Sequence, residues 1–304
     1  IPDLGTPDRV LTINGEAEGA TSEFLNFIAR SPVLDAIDHF TENMRAEGRG
    51  RLALKLAIPL ANPRDTRFAG TFQLQNNRVE MEDLFFPAEQ TTGRLEFSET
   101  GVRVPGVTMS ILGGPATLTG ATRRDGTVRL LMAGRVNMDN FRPATGASIA
   151  QAMHGSTDWK TTVVVRKRLA DIVFESALQG IVSDLPAPLA KSAAESMPLK
   201  VERQVAGAQQ ERITIALGGM VSAQFQRRRE GGQWITDRGT VSLGGTAPDS
   251  ERKGIWITGG LKSLDLDKWL ALLKASFGEG GRMQLAGLDV KFGTLDVFGR
   301  RFND

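Results

Sequence analysis

Arg51-Leu52-Ala53-Leu54-Lys55-Leu56-Ala57-Ile58-Pro59-Leu60 carries an apolar residue at every second position, with small or charged residues between most of them. Successive side chains of an extended chain point to opposite faces, so Leu52, Leu54, Leu56, Ile58 and Leu60 make one apolar face of a strand. The same period of two recurs on both sides of this stretch. Before the midpoint it runs through Phe72 and Leu74, Val79 and Met81, Leu95 and Phe97, Val102 and Val104, then Val107, Met109 and Ile111, and Val128, Leu130 and Met132. After the midpoint it returns at Val163 and Val165, Ile172 and Phe174, Ile213, Ile215 and Leu217, Ala223 and Phe225, Val241 and Leu243, Ile255 and Ile257, and Val290 and Phe292.

Pairs that favour positive φ separate many of these strips: Asn76-Asn77, Thr100-Gly101, Asp125-Gly126 and Gly231-Gly232. Tight hairpins require such pairs, so an antiparallel meander is expected. Gly-Gly doublets at 113–114, 218–219, 231–232, 244–245, 259–260 and 280–281 fall at or near strand ends. Missing side chains there permit sharp bends or bulges, and a strongly curved sheet follows. Helices are few. A helical insertion is expected over about 22–45, interrupted where Ser31 caps a second helix with Pro32 at its first position. Short helices are expected at about 144–153, 187–196 and 267–276, and none of them is long enough to span a bilayer.

Composition excludes several chemistries. With 40% hydrophobic and 24% charged residues, and 37 Lys+Arg against 35 Asp+Glu, the 304-residue chain has the balance of an ordinary folded protein. Its Arg residues are spread along the sequence, so no nucleic-acid partner is indicated. Cys and Tyr are absent, which removes disulfides, Cys-ligated zinc, Fe–S clusters, Cys nucleophiles and Tyr acids. His39 and His154 have no second ligand at metal spacing, so no metal and no His-dependent triad is indicated. Gly146-Ala147-Ser148-Ile149-Ala150 misses the last glycine of a nucleophile elbow. Gly113-Gly114-Pro115 leads into a strand pattern and Lys191-Ser192 follows no glycine-rich loop, so neither cradles phosphate.

Asp265 and Asp267 read as helix caps, and Glu80 and Glu82 as solvent-facing strand positions. Arg227-Arg228-Arg229 and Arg123-Arg124 are expected at hairpin tips, as solvated turns. Apolar surface in an unusual arrangement remains. Many strands with one apolar face could close into a sandwich whose inner faces bury one another. They could equally stay open as a trough whose apolar face takes a molecule as apolar as a lipid chain.

Several stretches in order resemble a known family. They are Gly48-Arg49-Gly50 leading into the Leu52–Leu60 strand, Thr92-Gly93-Arg94-Leu95-Glu96-Phe97 with Gly101-Val102, and Leu112-Gly113-Gly114-Pro115-Ala116. Ser176-Ala177-Leu178-Gln179-Gly180, Leu185-Pro186-Ala187-Pro188-Leu189-Ala190-Lys191 and Met197-Pro198-Leu199 are the most specific part, and Ile257-Thr258-Gly259-Gly260-Leu261 with Leu264-Asp265-Leu266-Asp267-Lys268-Trp269 closes the series. Together they resemble the AsmA-like family of bridge-like lipid-transfer proteins, in particular its YhdP branch, which is related to TamB.

The resemblance implies a mostly β fold, a long curved antiparallel sheet forming an open apolar groove with a few short flanking helices. It implies one segment, 1–304, of an elongated, repeating groove, cut from a longer protein anchored in the inner membrane of a Gram-negative bacterium. The opening Ile1-Pro2-Asp3 has neither Met nor a signal-like stretch, which agrees. The implied activity is non-enzymatic: phospholipid transport across the periplasm between inner and outer membrane, in support of the outer-membrane permeability barrier, with no cofactor. The implied partners are phospholipid acyl chains, the two membranes through parts of the longer protein, and envelope proteins. The groove lining is then expected on Leu52, Leu54, Leu56, Ile58, Phe72, Leu74, Met109, Ile111, Leu130, Met132, Ile213, Ile215, Leu217, Ile255 and Ile257. A periplasmic β-rich scaffold for envelope assembly is the alternative.

Overall fold

In the computed structural model the alternating stretches become strands of one mixed sheet of 17 strands. The structure describes residues 9–31, 34, 39, 41–81, 86–145, 148–167, 169–249, 252–276 and 285–303. Two compact units form, one from residues 1–111, 115–133 and 162–170, the other from 112–114, 134–161 and 171–304.

In the first unit, β1 (Val10–Ala20), β2 (Met44–Pro59), β3 (Arg67–Met81), β4 (Ala88–Ser98) and β5 (Gly101–Ile111) pair in succession, all antiparallel. β6 (Gly114–Thr122) and β7 (Val128–Asn137) continue the meander through the Asp125-Gly126 turn, as expected. The helix α1 (Thr21–Ala29) connects toward β2. The insertion expected to run to 45 ends earlier in helical form, because Met44 already pairs with Met81 as the first residue of β2. Its second helix, expected from Pro32, falls largely outside the described residues. Asn76-Asn77 is not a hairpin tip. It lies inside β3 as a bulge with Asn76 at φ 53°, where the register to β4 shifts.

β8 (Met153–Arg166) and β9 (Leu169–Ser176), of which 162–166 and 169–170 belong to the first unit, lead in the second unit to the short β10 (Ile181–Ser183) and then to β11 (Leu199–Val205). β12 (Gln210–Leu217), β13 (Val221–Glu230) and β14 (Gln233–Leu243) extend the antiparallel run. β15 (Gly254–Asp265) then pairs parallel to β14, and β16 (Leu285–Val297) parallel to β15, before β17 (Arg300–Asn303) returns antiparallel. The sheet is therefore mixed and not wholly antiparallel. A parallel step needs a crossover that brings the chain back to the starting end, and α3 (Leu266–Ser276) lies in the second of these.

The Leu266–Ser276 helix matches its expected span, and Asp265 caps it by accepting from the Lys268 amide at 3.0 Å. The helix expected at 144–153 starts earlier, as α2 (Met138–Thr145), because the Asn137 side chain caps it through the Asp139 amide. Ser148–Ala152 is a separate 3₁₀ turn, and Met153 opens β8. The helix expected at 187–196 does not form. Its backbone is drawn into a bridge, with the Ser183 and Lys191 amides donating to one another's carbonyls at 2.9 and 3.1 Å. Gly259-Gly260 sits inside β15 instead of at a strand end.

Candidate functional site

Cross-strand register shows which apolar residues share a face. In the first unit one row runs Gly15, Leu54, Gly70, Phe97 and Val102, and the next runs Ala17, Leu52, Phe72 and Leu95. A third runs Gly19, Gly50, Leu74, Gly93 and Val107. Leu56 and Ile58 extend the same face beyond the first row, beside Phe68, Ile13 and Leu11. Met109 and Ile111 alternate from Val107 and share it. Leu130 and Met132 lie on the buried side of β7, between exposed Arg129 and Leu131. Of the ten expected lining residues in this unit, register gathers eight on one face: Leu52, Leu54, Leu56, Ile58, Phe72, Leu74, Met109 and Ile111.

Glycines let aromatic rings lie flat on this surface. A Cβ at Gly70 would overlap the Phe97 ring, and one at Gly50 would overlap Phe72. Phe72 in turn receives the edge of Phe24 from α1 at 5.2 Å between centroids. α1 therefore rests on the apolar face. Its entry is fixed by Thr21, whose hydroxyl donates to the buried Asn77 side chain at 2.5 Å, while Asn77 donates to the Arg49 carbonyl at 2.8 Å.

The second unit repeats the arrangement over seven strands. Phe174, Val201, Ile215, Ala223, Val241, Ile257 and Leu288 stand in register on one face. Beside them run Ile172, Arg203, Ile213, Phe225, Gly239 and Ile255, and on the other side Leu199, Leu217, Val221 and Leu243. All five expected residues of this unit, Ile213, Ile215, Leu217, Ile255 and Ile257, fall on this face. The reverse face reads Glu175, Lys200, Ala216, Ser222, Ser242, Thr258 and Asp289 in the corresponding row. The far end of the apolar row is open, with Leu288 63% exposed.

The Arg227–Arg229 run is not a solvated tip. It belongs to β13, and alternation from Ala223 and Phe225 puts Arg227 on the apolar face opposite Glu211. The Glu211 carboxylate is 1% exposed and accepts from Arg203 and Arg227, each at 2.6 Å. Both Arg227 and Arg229 lie against the Trp234 ring. This ionic cluster closes one end of the apolar rows.

Two further features bear on function. A cleft of about 790 Å³ in the first unit is flanked by Asn14, Lys55, Ala69 and Ser98 on one side and Glu16, Ala53, Thr71, Glu96 and Arg103 on the other. Between them the cleft is lined by the Leu54 row itself, Gly15, Leu54, Gly70, Phe97 and Val102, so Leu54 among the expected lining residues borders it. The family-like stretch 176–199 is a structural clip. Ile181 is wholly buried, and the Lys191 ammonium, 7% exposed, donates to the carbonyls of Leu178, Ile181 and Ser192. Burial lowers the Lys191 pKa below the usual lysine range. No group of three or more His, Asp or Glu able to hold a metal occurs among the described residues, and no described helix is long and apolar enough to cross a membrane.

Sequence reasoning missed Phe97, Val201 and Val241 as members of the apolar faces. Their alternation was visible, but face membership across strands depends on register. It also missed the Arg203–Glu211–Arg227 cluster, for which no local signal exists.

A model of the YhdP protein family matches residues 1–304. The intermembrane phospholipid transporter YhdP of Escherichia coli (strain K12) is 25% identical in an alignment that covers 92% of this chain and 22% of that relative. The chain thus spans about a fifth of the relative's length. No solved structure matches.

Proposed function

The chain belongs to the YhdP family, and from that premise we propose that it is a section of a non-enzymatic phospholipid conduit between the inner and outer membranes of the Gram-negative envelope. The observation that carries this reading is the sidedness of the sheet. In each unit, rows of Leu, Ile, Val and Phe share one face, while the reverse of the second unit is hydroxyl-bearing and charged. An acyl chain laid along such rows loses contact with water at roughly 0.8 kcal/mol per buried methylene, while its head group stays solvated. Neighbouring rows offer nearly equivalent aliphatic contacts, so no single position traps the chain and it can move along the face. Transport of this kind needs no reaction centre. On this reading the longer protein stands in the periplasm with an inner-membrane anchor, its partners are phospholipid and the two membranes, and its output is the outer-membrane permeability barrier.

The test is purification of the chain without detergent, followed by native mass spectrometry and organic extraction. Phospholipid in near-stoichiometric amount, lost in Leu56→Asp with the strand content unchanged by circular dichroism, is the expected result. Unfolding of Leu56→Asp would place Leu56 in a closed core and count against an open lipid face.

A further inference from the structure

The third row of the first unit differs from its neighbours. Gly19, Gly50 and Gly93 supply three of its five positions, with Leu74 and Val107 as the others. The missing side chains let this row lie low, and α1 approaches it at its Gly19 end. A Cβ at Gly19 would be 3.7 Å from the Phe24 ring and 3.5 Å from the Glu23 carboxylate, so the first turn of α1 sits against the Gly19 end of the row, while the Phe72 ring that Phe24 touches fills the space over Gly50. Phe24 then reaches sideways to Phe72 in the adjacent row. On the sheet side, Leu74 is buried, whereas Leu54 and Leu56 remain half-exposed and Ile13 is 42% exposed.

The attachment of α1 is local. Among the described residues, one buried hydrogen bond, Thr21 to Asn77, fixes its first residue to the bulge of β3. The hydrophobic anchor at the other side is the Phe24–Phe72 ring pair, and Phe27, one turn further along, points to solvent at 61% exposure. A helix that belonged permanently to the core would bury its aromatic residues more evenly.

We propose that α1 is a strap that closes one end of the apolar face of the first unit. With the strap down, acyl chains reach the Leu54 and Leu56 region but not the rows of Leu52, Phe72 and Leu74. With it raised, those rows join the path. The proposal rests on the lipid reading above.

The chain has no cysteine, so a Thr21→Cys/Asn77→Cys pair replaces the hydrogen-bonded latch by a disulfide that only oxidation closes. The probe is phosphatidylethanolamine carrying a diazirine in one acyl chain, with adducts mapped by peptide mass spectrometry. Oxidation is expected to abolish adducts on Leu52, Phe72 and Leu74, reduction to restore them, and adducts on Ile215 and Ile257 to stay constant. Thr21→Ala, which leaves the sheet intact, should raise adducts under the strap about fivefold, the population change expected from losing one buried hydrogen bond. Equal adducts on Leu52 and Phe72 in the oxidised and reduced forms, or no rise in Thr21→Ala, would overturn the strap while leaving lipid binding in place. Absence of adducts on Ile215 and Ile257 as well would overturn the lipid reading, and the strap with it.

Discussion

Replacing Lys191 by Met tests whether the family-like stretch 176–199 is a clip or a ligand site. The Lys191 ammonium holds three carbonyls, those of Leu178, Ile181 and Ser192, in a region where Ile181 is fully buried. Met keeps the apolar stem and removes every donor. Each orphaned buried carbonyl costs about 1–3 kcal/mol. Against that sum stands the relief of no longer burying an ammonium, so a net loss of about 3 kcal/mol is expected. Trp159, stacked on Phe174, and Trp269, whose indole donates to the Ala187 carbonyl at 3.0 Å, report on the same region by fluorescence. Urea unfolding should therefore show a lower midpoint with an unchanged slope. A loss below about 0.5 kcal/mol would refute the clip. Loss of lipid loading at unchanged stability would make Lys191 a ligand residue instead.

Three further outcomes follow from the same geometry. Burial lowers the Lys191 pKa in the folded chain, so the unfolded chain holds that proton more tightly; stability should rise with pH from the lowered folded value toward the ordinary lysine range, and Lys191→Met should lose that rise in urea titrations. Glu211→Ala removes the carboxylate shared by Arg203 and Arg227 and should cost about 3–5 kcal/mol in chemical denaturation, with Glu211→Gln milder. Gly259→Ala should lower the melting temperature through a loss of about 2 kcal/mol or more, because Gly259 sits at φ 110° and a Cβ there would overlap the Leu243 carbonyl.

Strict alternation made the strands legible. The Leu52–Ile58 strip is one face of β2, and Ile213, Ile215 and Leu217 one face of β12, because a strand allows no other sorting of those side chains. Even the break in parity between Val104 and Val107 was in the sequence. It marks an extra residue of β5 opposite Arg94–Glu96, near Pro105-Gly106, which keeps both strips on one face. Asn76-Asn77 misled because a bulge and a hairpin tip ask for the same left-handed residues, and only the pairing partner separates them. The two parallel steps were hidden for a related reason, since β15 and β16 show the same alternation whichever way they run.

Charges were the least legible. Arg227 reads as solvated until the sheet brings Glu211 opposite it, 16 residues away in sequence. The position of α1 was equally inaccessible. Its apolar residues announce a helix, but the surface it rests on, Gly19 of β1 with Phe72 and Asn77 of β3, is assembled only by the sheet.

The central claim is that lipid lies on one face of the sheet and not on the other. The photo-reactive residue p-benzoylphenylalanine, placed singly at Ile215, Ile257 and Leu54, and in control chains at Ala216, Ser242 and Thr258 on the reverse face, separates the two directly. Irradiation with phosphatidylethanolamine–phosphatidylglycerol vesicles should give phospholipid adducts at the first three positions and none above background at the others. Equal adducts on both faces, or adducts confined to the reverse face, would contradict a one-sided lipid path.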